Sequence, residues 1–110
     1  MSGITHLRSG IKTVAAPGTP VQLQDDAIVG GTMQAPVVGV VVEALETNEG
    51  KIVVGGKDVV GKAGSHAAPE RQGIALSAGG SISLDVNDIG AVWIDATVAG
   101  DGVSWTALCA

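Results

Sequence analysis

The stretch of residues 46–108 constrains the fold most, because it consists of short aliphatic runs separated by glycine-rich turns. Runs rich in valine and isoleucine are typical of β-strands. Glycine, asparagine and aspartate between these runs supply the backbone conformations that tight turns require. The stretch holds few groups that could carry out chemistry, so it indicates an architectural protein.

Alternation of side chains predicts one apolar face along the second half of the chain. The aliphatic residues of this face all occupy even positions: Ile74, Leu76, Ile82, Leu84, Val86, Val92, Ile94, Ala96 and Val98. Because successive side chains of a strand point to opposite faces, we expect these residues to point into a core. Trp105 shares a face with Val103 and Ala107 and is predicted to be core as well. Trp93 falls on the opposite face, where we expect a partner subunit or a second sheet to cover it.

The first half of the chain supplies the remaining predicted strands. The run PVVGVVVEAL at 36–45 is largely apolar on both faces and predicts a central strand covered on both sides. Residues 47–50 form a turn sequence, so residues 51–54 are predicted to return as the second strand of a hairpin. A further tight hairpin is predicted at 100–102. The chain is therefore predicted to be all-β, a small β-sandwich or barrel of about seven or eight short antiparallel strands with little or no helix.

Two units are predicted: an N-terminal arm or edge strand at residues 1–16 and a single β domain at 17–110. Prolines at 17 and 20 separate the two, and 110 residues are enough for one domain of ordinary size. The first unit is only weakly patterned, so it can pair at a sheet edge or extend to a neighbouring subunit. A frayed terminus that contacts nothing is the alternative.

Composition excludes several classes of partner. The formal charge is −5, and the six lysines and arginines are scattered, so no basic stripe for nucleic acid is present. The single cysteine, Cys109, allows no internal disulfide and no metal-ligand spacing. No apolar run approaches the length of a membrane span or a signal peptide, so we expect a soluble protein made in the cytoplasm. A core without Phe or Tyr buries little surface, which makes self-association a reasonable expectation.

Candidate sites for chemistry have simpler interpretations. Ser65 and His66 lie in a polar loop without the G-x-S-x-G turn of a hydrolase nucleophile. Asp85, Asn87 and Asp88 could offer oxygens to Ca²⁺, but they lack the twelve-residue spacing of a calcium loop and are ordinary turn residues. No enzyme activity, catalytic residue, cofactor or metal site is therefore predicted.

Three segments carry a resemblance to a known class of proteins. They are GTPVQL at 18–23, EALETNEGKIVVGGKDVV at 43–60 and GIALSAGGSISLDVNDIGAVWIDATVAGDGVSWTAL at 73–108. Their order resembles the small β-rich virion proteins encoded among the head and tail genes of tailed phages, over roughly the last nine-tenths of the chain. The resemblance implies a structural part of a virus particle, namely a capsid decoration or cement protein that binds the major capsid protein on the outer capsid surface as a homotrimer.

The residues predicted to contact partners are Ile4, Leu7, Ile11, His66, Arg71 and Trp93. Two alternatives to capsid decoration stay open at this stage. One is a structural component of the phage tail, baseplate or fibre. The other is a carbohydrate-binding β-sandwich module, in which Trp93 would stack on a sugar ring.

Overall fold

The computed structural model of the chain describes residues 6–23, 37–60 and 72–109. These residues form eight strands and one 3-10 turn: β1 (His6–Thr13), β2 (Val21–Gln22), β3 (Val37–Ala44), β4 (Ile52–Gly55), β5 (Ile74–Leu76), β6 (Ser81–Leu84), the 3-10 turn Ile89–Ala91, β7 (Trp93–Ala96) and β8 (Gly102–Cys109). All strand pairs of the two sheets are antiparallel. The predicted all-β class is confirmed.

The strands form two four-stranded sheets that face each other across the core. The β1 sheet has the order β1-β8-β3-β6, and the β2 sheet has the order β2-β7-β4-β5. Successive strands therefore alternate between the sheets, except that β4 is followed by its own neighbour β5. This order is that of an eight-stranded jelly roll, a sandwich built from two Greek keys.

The core lies between the sheets and draws on the predicted inner faces. Its buried members are Val14, Leu23, Val40, Val42, Ala44, Ile52, Val54, Leu76, Ile89, Val92, Ile94, Ala96, Val103, Trp105, Ala107 and Cys109. The core position of Trp105 is thus confirmed. Ile74 is 43% exposed, contrary to prediction. Ile74 pairs with the core residue Val54, so its side chain is on the inner face of the sheet. It is nevertheless partly exposed, because β5 is the edge strand of the β2 sheet.

Both predicted hairpins are wrong. β3 and β4 lie in different sheets, and so do β7 and β8, so the turns at 45–51 and 97–101 carry the chain across the core as arches. An arch keeps inward side chains inward just as a hairpin does, so the alternation of apolar residues fits both.

The strand β3 is central, as predicted, because it lies between β8 and β6. Cover of its outer face is incomplete: Val40 and Val42 of the inner face are buried, whereas on the outer face only Gly39 is buried, Val41 is half-buried and Glu43 is exposed. Val38 is also exposed, next to a register shift at the start of the strand. The predicted cover on both faces is therefore wrong.

Two buried carboxylates tie connections to the sheets. Asp101, which is 5% exposed, accepts hydrogen bonds from the backbone N–H groups of Glu49 and Gly50 and so joins the two arches. Asp95 is fully buried and accepts from the N–H groups of Gly18 and Ala96. Its side chain points to the outer face of the β2 sheet, so the connection between β1 and β2 lies over that face.

Candidate interaction surface

The strand β1 is a long open edge of the sandwich. It pairs along eight residues with β8 and, within the described residues, with no strand on its other side. The other edge strands, β2, β5 and β6, have two, three and four residues. Proteins commonly keep edge strands short, because a long edge offers unpaired backbone groups to other chains. Residues 6–13 form this edge strand, and residues 1–5 of the predicted N-terminal unit lie outside the described residues.

In β1 the aliphatic side chains point outward and the charged side chains point inward, which is the reverse of the usual arrangement in a sandwich. Leu7 and Ile11 are exposed by 61% and 68%, whereas Arg8 and Lys12 share the inner parity of the sheet and are half-buried. The cause is Gly10, which packs directly against the indole of Trp105: a Cβ added there would lie 2.8 Å from Cζ2. Only a glycine leaves room for the indole, so Trp105 fixes which residues of β1 face outward.

The outward residues of β1 continue across the sheet as one surface, here called the outer face. Strand register places the following residues on it: Leu7, Ser9, Ile11, Thr13, Gly39, Val41, Glu43, Ser81, Ser83, Ser104, Thr106 and Leu108. Leu7 pairs with Leu108 across β1 and β8. Among these residues only Glu43 is ionisable, so the outer face consists of aliphatic, small and hydroxyl side chains.

The backbone of β1 presents a regular set of hydrogen-bonding groups at the open edge. The N–H of Val14 donates to the carbonyl of Asp101 at 2.9 Å, which marks even positions as the ones that bond to β8. Hydrogen-bonded and non-hydrogen-bonded pairs alternate in an antiparallel ladder. The N–H and C=O groups of Leu7, Ser9, Ile11 and Thr13 therefore point away from β8, toward the open edge.

The structure brings together two of the six residues predicted to contact partners, Leu7 and Ile11. Trp93 lies on the opposite side of the sandwich, on the outer face of the β2 sheet between Gln22 and Gly55, and it is half-buried. The prediction that it faces away from Ile94 is confirmed.

The other predicted contact residues, Ile4, His66 and Arg71, lie outside the described residues. Sequence reasoning missed Val41 and Leu108, although both belong to the outer face. Their odd positions in the sequence indicate outward side chains. Alternation does not show, however, that β1, β3 and β8 are neighbours in one sheet, so it could not place these residues on a common face.

One open groove of about 550 Å³ lies among the start of β3, the residues that follow β6 and the 3-10 turn. It is lined by Val38, Asp85, Val86, Asn87 and Ala91. The neighbouring Asp88 caps the 3-10 turn, since its carboxylate accepts from the N–H of Gly90 at 2.9 Å. No group of three or more His, Cys, Asp or Glu side chains with metal-binding geometry occurs in residues 6–23, 37–60 and 72–109. The same residues contain no helix that is long and apolar enough to cross a membrane.

Comparison of the chain with known proteins returns no match to a protein-family model, to a curated protein or to a solved structure.

Proposed function

We propose that this protein is a non-enzymatic structural component of a phage virion. In this role it decorates the outside of the capsid, binds the major capsid protein and stabilises the shell as an oligomer, for which the resemblance implies a trimer. The observation that carries the proposal is the outer face of the β1 sheet with its exposed Leu7 and Ile11.

The outer face suits attachment to a protein surface. The fully buried centre of an interface contains few charged residues, because an unpaired charge is costly to remove from water. The outer face meets this condition, since Glu43 is its one ionisable residue and lies on β3, two strands away from β1. Monomeric proteins rarely leave a large apolar patch without a function.

The fold is compatible with this role but does not decide it. Jelly rolls occur in viral capsid proteins, in lectins and in cupins. Fold alone therefore supports a structural and a carbohydrate-binding function equally, and the argument depends on the surface.

Capsid binding can be tested with shells assembled without this protein. Purified protein is added, and co-sedimentation and the melting temperature of the shells are measured. Burial of a large aliphatic side chain contributes about 1.5–3 kcal/mol, of which the exposed part of Leu7 and Ile11 represents about 1–2 kcal/mol each. The double substitution Leu7→Glu with Ile11→Glu should therefore weaken binding by at least about 30-fold.

The matched control is a pair of glutamates introduced outside the outer face. Ala75 and Ala78 are exposed, on β5 and in the turn that follows it, and their replacement by Glu adds the same charge. This control should bind like the unmodified protein. Equal binding by both double variants, or no binding by the unmodified protein, would reject the proposal.

Two alternatives follow from the same structure. A tail, baseplate or fibre component would use the same outer face, and it is distinguished by locating the protein in separated heads and tails. A carbohydrate-binding module is favoured by the half-buried Trp93 on the other side of the sandwich. Glycan binding that is abolished by Trp93→Ala and unaffected by the Leu7 and Ile11 substitutions would establish that alternative.

A further inference from the structure

We propose that two copies of this chain pair through their β1 strands, antiparallel and about a two-fold axis at Ser9. The contact joins two β1 sheets into one continuous sheet of eight strands. Within the proposed function, this dimer would take the place of the trimer that the resemblance implies, and it requires no capsid.

The edge of β1 is equipped for such pairing. Its outward backbone groups belong to Leu7, Ser9 and Ile11, and to Thr13 at the end of the strand. Addition of a strand to an open edge gains its affinity from main-chain hydrogen bonds of this kind. A two-fold contact is self-complementary and closes at the dimer, which prevents growth into a filament.

The charges of β1 select the register. Like charges that lie directly opposite destabilise a strand pair. A two-fold axis at residue 8 or 12 would place Arg8 or Lys12 opposite its own copy, and an axis at Gly10 would place Arg8 opposite Lys12. Among axes at residues 8–12, only those at Ser9 and Ile11 avoid these pairs.

Of the odd positions, Ser9 gives the most complete pairing. With the axis there, residues 6–12 of one copy pair with the same residues of the other, whereas an axis at Ile11 pairs only residues 9–13. Leu7 then lies opposite Ile11 of the second copy on the outer face, and this aliphatic pair occurs twice. Arg8 lies opposite Gly10, which has no side chain to obstruct it. The three outward pairs, centred on Ser9, would exchange about six hydrogen bonds.

The area of the outer face gives a reason for such a dimer. Strands lie about 4.8 Å apart and rise about 3.3 Å per residue, so four strands of four to eight residues present roughly 400–500 Å². A stable specific interface buries about 800 Å² on each partner. One chain therefore offers too small a surface, while the paired sheets offer roughly 800–1,000 Å² with four exposed aliphatic side chains at the centre.

Single cysteines on β1 test the register in the purified protein. With Ser9→Cys, the two cysteines lie at the axis, with Cα atoms about 5.5 Å apart, within the range that a disulfide spans. The matched control is Thr13→Cys, exposed on the same face. Thr13 lies four residues from the axis, so two copies of it are about 27 Å apart. Under mild oxidation, Ser9→Cys should give a covalent dimer, whereas Thr13→Cys and the parent protein with its buried Cys109 should not.

A second variant removes the contact without removing the strand. Ser9→Pro deletes an N–H that points to the open edge, a position at which an edge strand tolerates proline. We expect the parent protein to have twice the 10.8 kDa chain mass by light scattering. Ser9→Pro should have the mass of one chain and keep a cooperative unfolding transition.

The outcomes separate this contact from the proposed function. A monomeric or trimeric parent protein, or cross-linking of Thr13→Cys as efficient as that of Ser9→Cys, would overturn the two-fold pairing. Capsid binding by a protein that does not cross-link at residue 9 would leave the proposed function standing. A cross-linked dimer that fails to bind capsids would reject the proposed function and keep the pairing.

Discussion

Removal of the Asp101 carboxylate should destabilise the protein more than removal of the carboxylate of any exposed acidic residue. Asp101 is 5% exposed, and its two oxygens accept from the N–H of Gly50 at 2.8 Å and of Glu49 at 3.1 Å. These bonds hold the arch between β3 and β4 against the arch between β7 and β8. The same arches are joined again by Asn48, whose side-chain amide donates to the carbonyl of Gly102 and accepts from its N–H.

The magnitude follows from the two bonds and from what replaces them. A hydrogen bond to a charged group contributes about 1.5–3 kcal/mol, so two bonds set an upper limit of about 6 kcal/mol. Glu49 is exposed and Gly50 is half-buried, so water can reach the freed N–H groups and recover part of this energy. For Asp101→Ala we expect a loss of about 2–3 kcal/mol in the free energy of unfolding. Asp101→Asn keeps one accepting oxygen and should lose about half as much.

Denaturant unfolding at 25 °C measures these losses, and thermal unfolding should show a decrease of roughly 8–15 °C for Asp101→Ala. Asp58→Asn is the control, because Asp58 is exposed and the substitution makes the same change in net charge. The control should stay within about 0.5 kcal/mol of the parent protein. If Asp101→Ala is as stable as the control, the carboxylate does not hold the two arches and the reasoning is refuted.

Two further predictions concern side chains that sequence patterns did not single out. Gly10→Ala should cost about 1–3 kcal/mol in the free energy of unfolding, because its Cβ would lie 2.8 Å from the Trp105 indole, whereas Gly56→Ala meets only Asp58 Oδ1 at 3.6 Å and should be much less destabilising. Asp95→Ala should cost about 1–3 kcal/mol and, because the bond from Gly18 is lost, should speed proteolytic cleavage in residues 15–20.

The local pattern of the sequence was sufficient to predict the class of fold and most of the core. Alternation identified the inward residues of β7 and β8, including Ile94 and Trp105, because inward parity is a property of each strand by itself. It did not identify strand neighbours. The turn at 45–51 has the composition of a hairpin, yet it becomes an arch held by Asn48 and Asp101, whose partners lie about 50 residues away.

Long-range contacts also explain the burial of Asp95 and the exposure of Ile74, neither of which follows from alternation. Asp95 has the parity of an outward residue, yet it is fully buried and accepts a hydrogen bond from the N–H of Gly18, 77 residues away. Ile74 is exposed because β5 is an edge strand, and the position of a strand in its sheet cannot be read from alternation. For the interaction surface, the sequence supplied Leu7 and Ile11 but not the strands beside them.

The two sides of the sandwich differ in a way that favours attachment by one side. On the β2 sheet, the outward residues Val53 and Asp95 are buried, and so is Val59, which packs over Gly55 and Gly73. The chain thus covers part of that side with its own connections. The outer face of the β1 sheet has no such cover among the described residues.

Charge shows the same division between the two sides. Apart from Glu43, the described acidic residues lie in connections or on the β2 sheet: Glu46, Glu49, Asp58, Asp85, Asp88, Asp95 and Asp101. A protein with a net charge of −5 that attached through these regions would have to bury or pair several carboxylates. Attachment through the outer face leaves the exposed ones in water, namely Glu46, Glu49, Asp58, Asp85 and Asp88. The reversed strand β1, with Leu7 and Ile11 outward because Gly10 must face Trp105, is therefore what makes this side the apolar one.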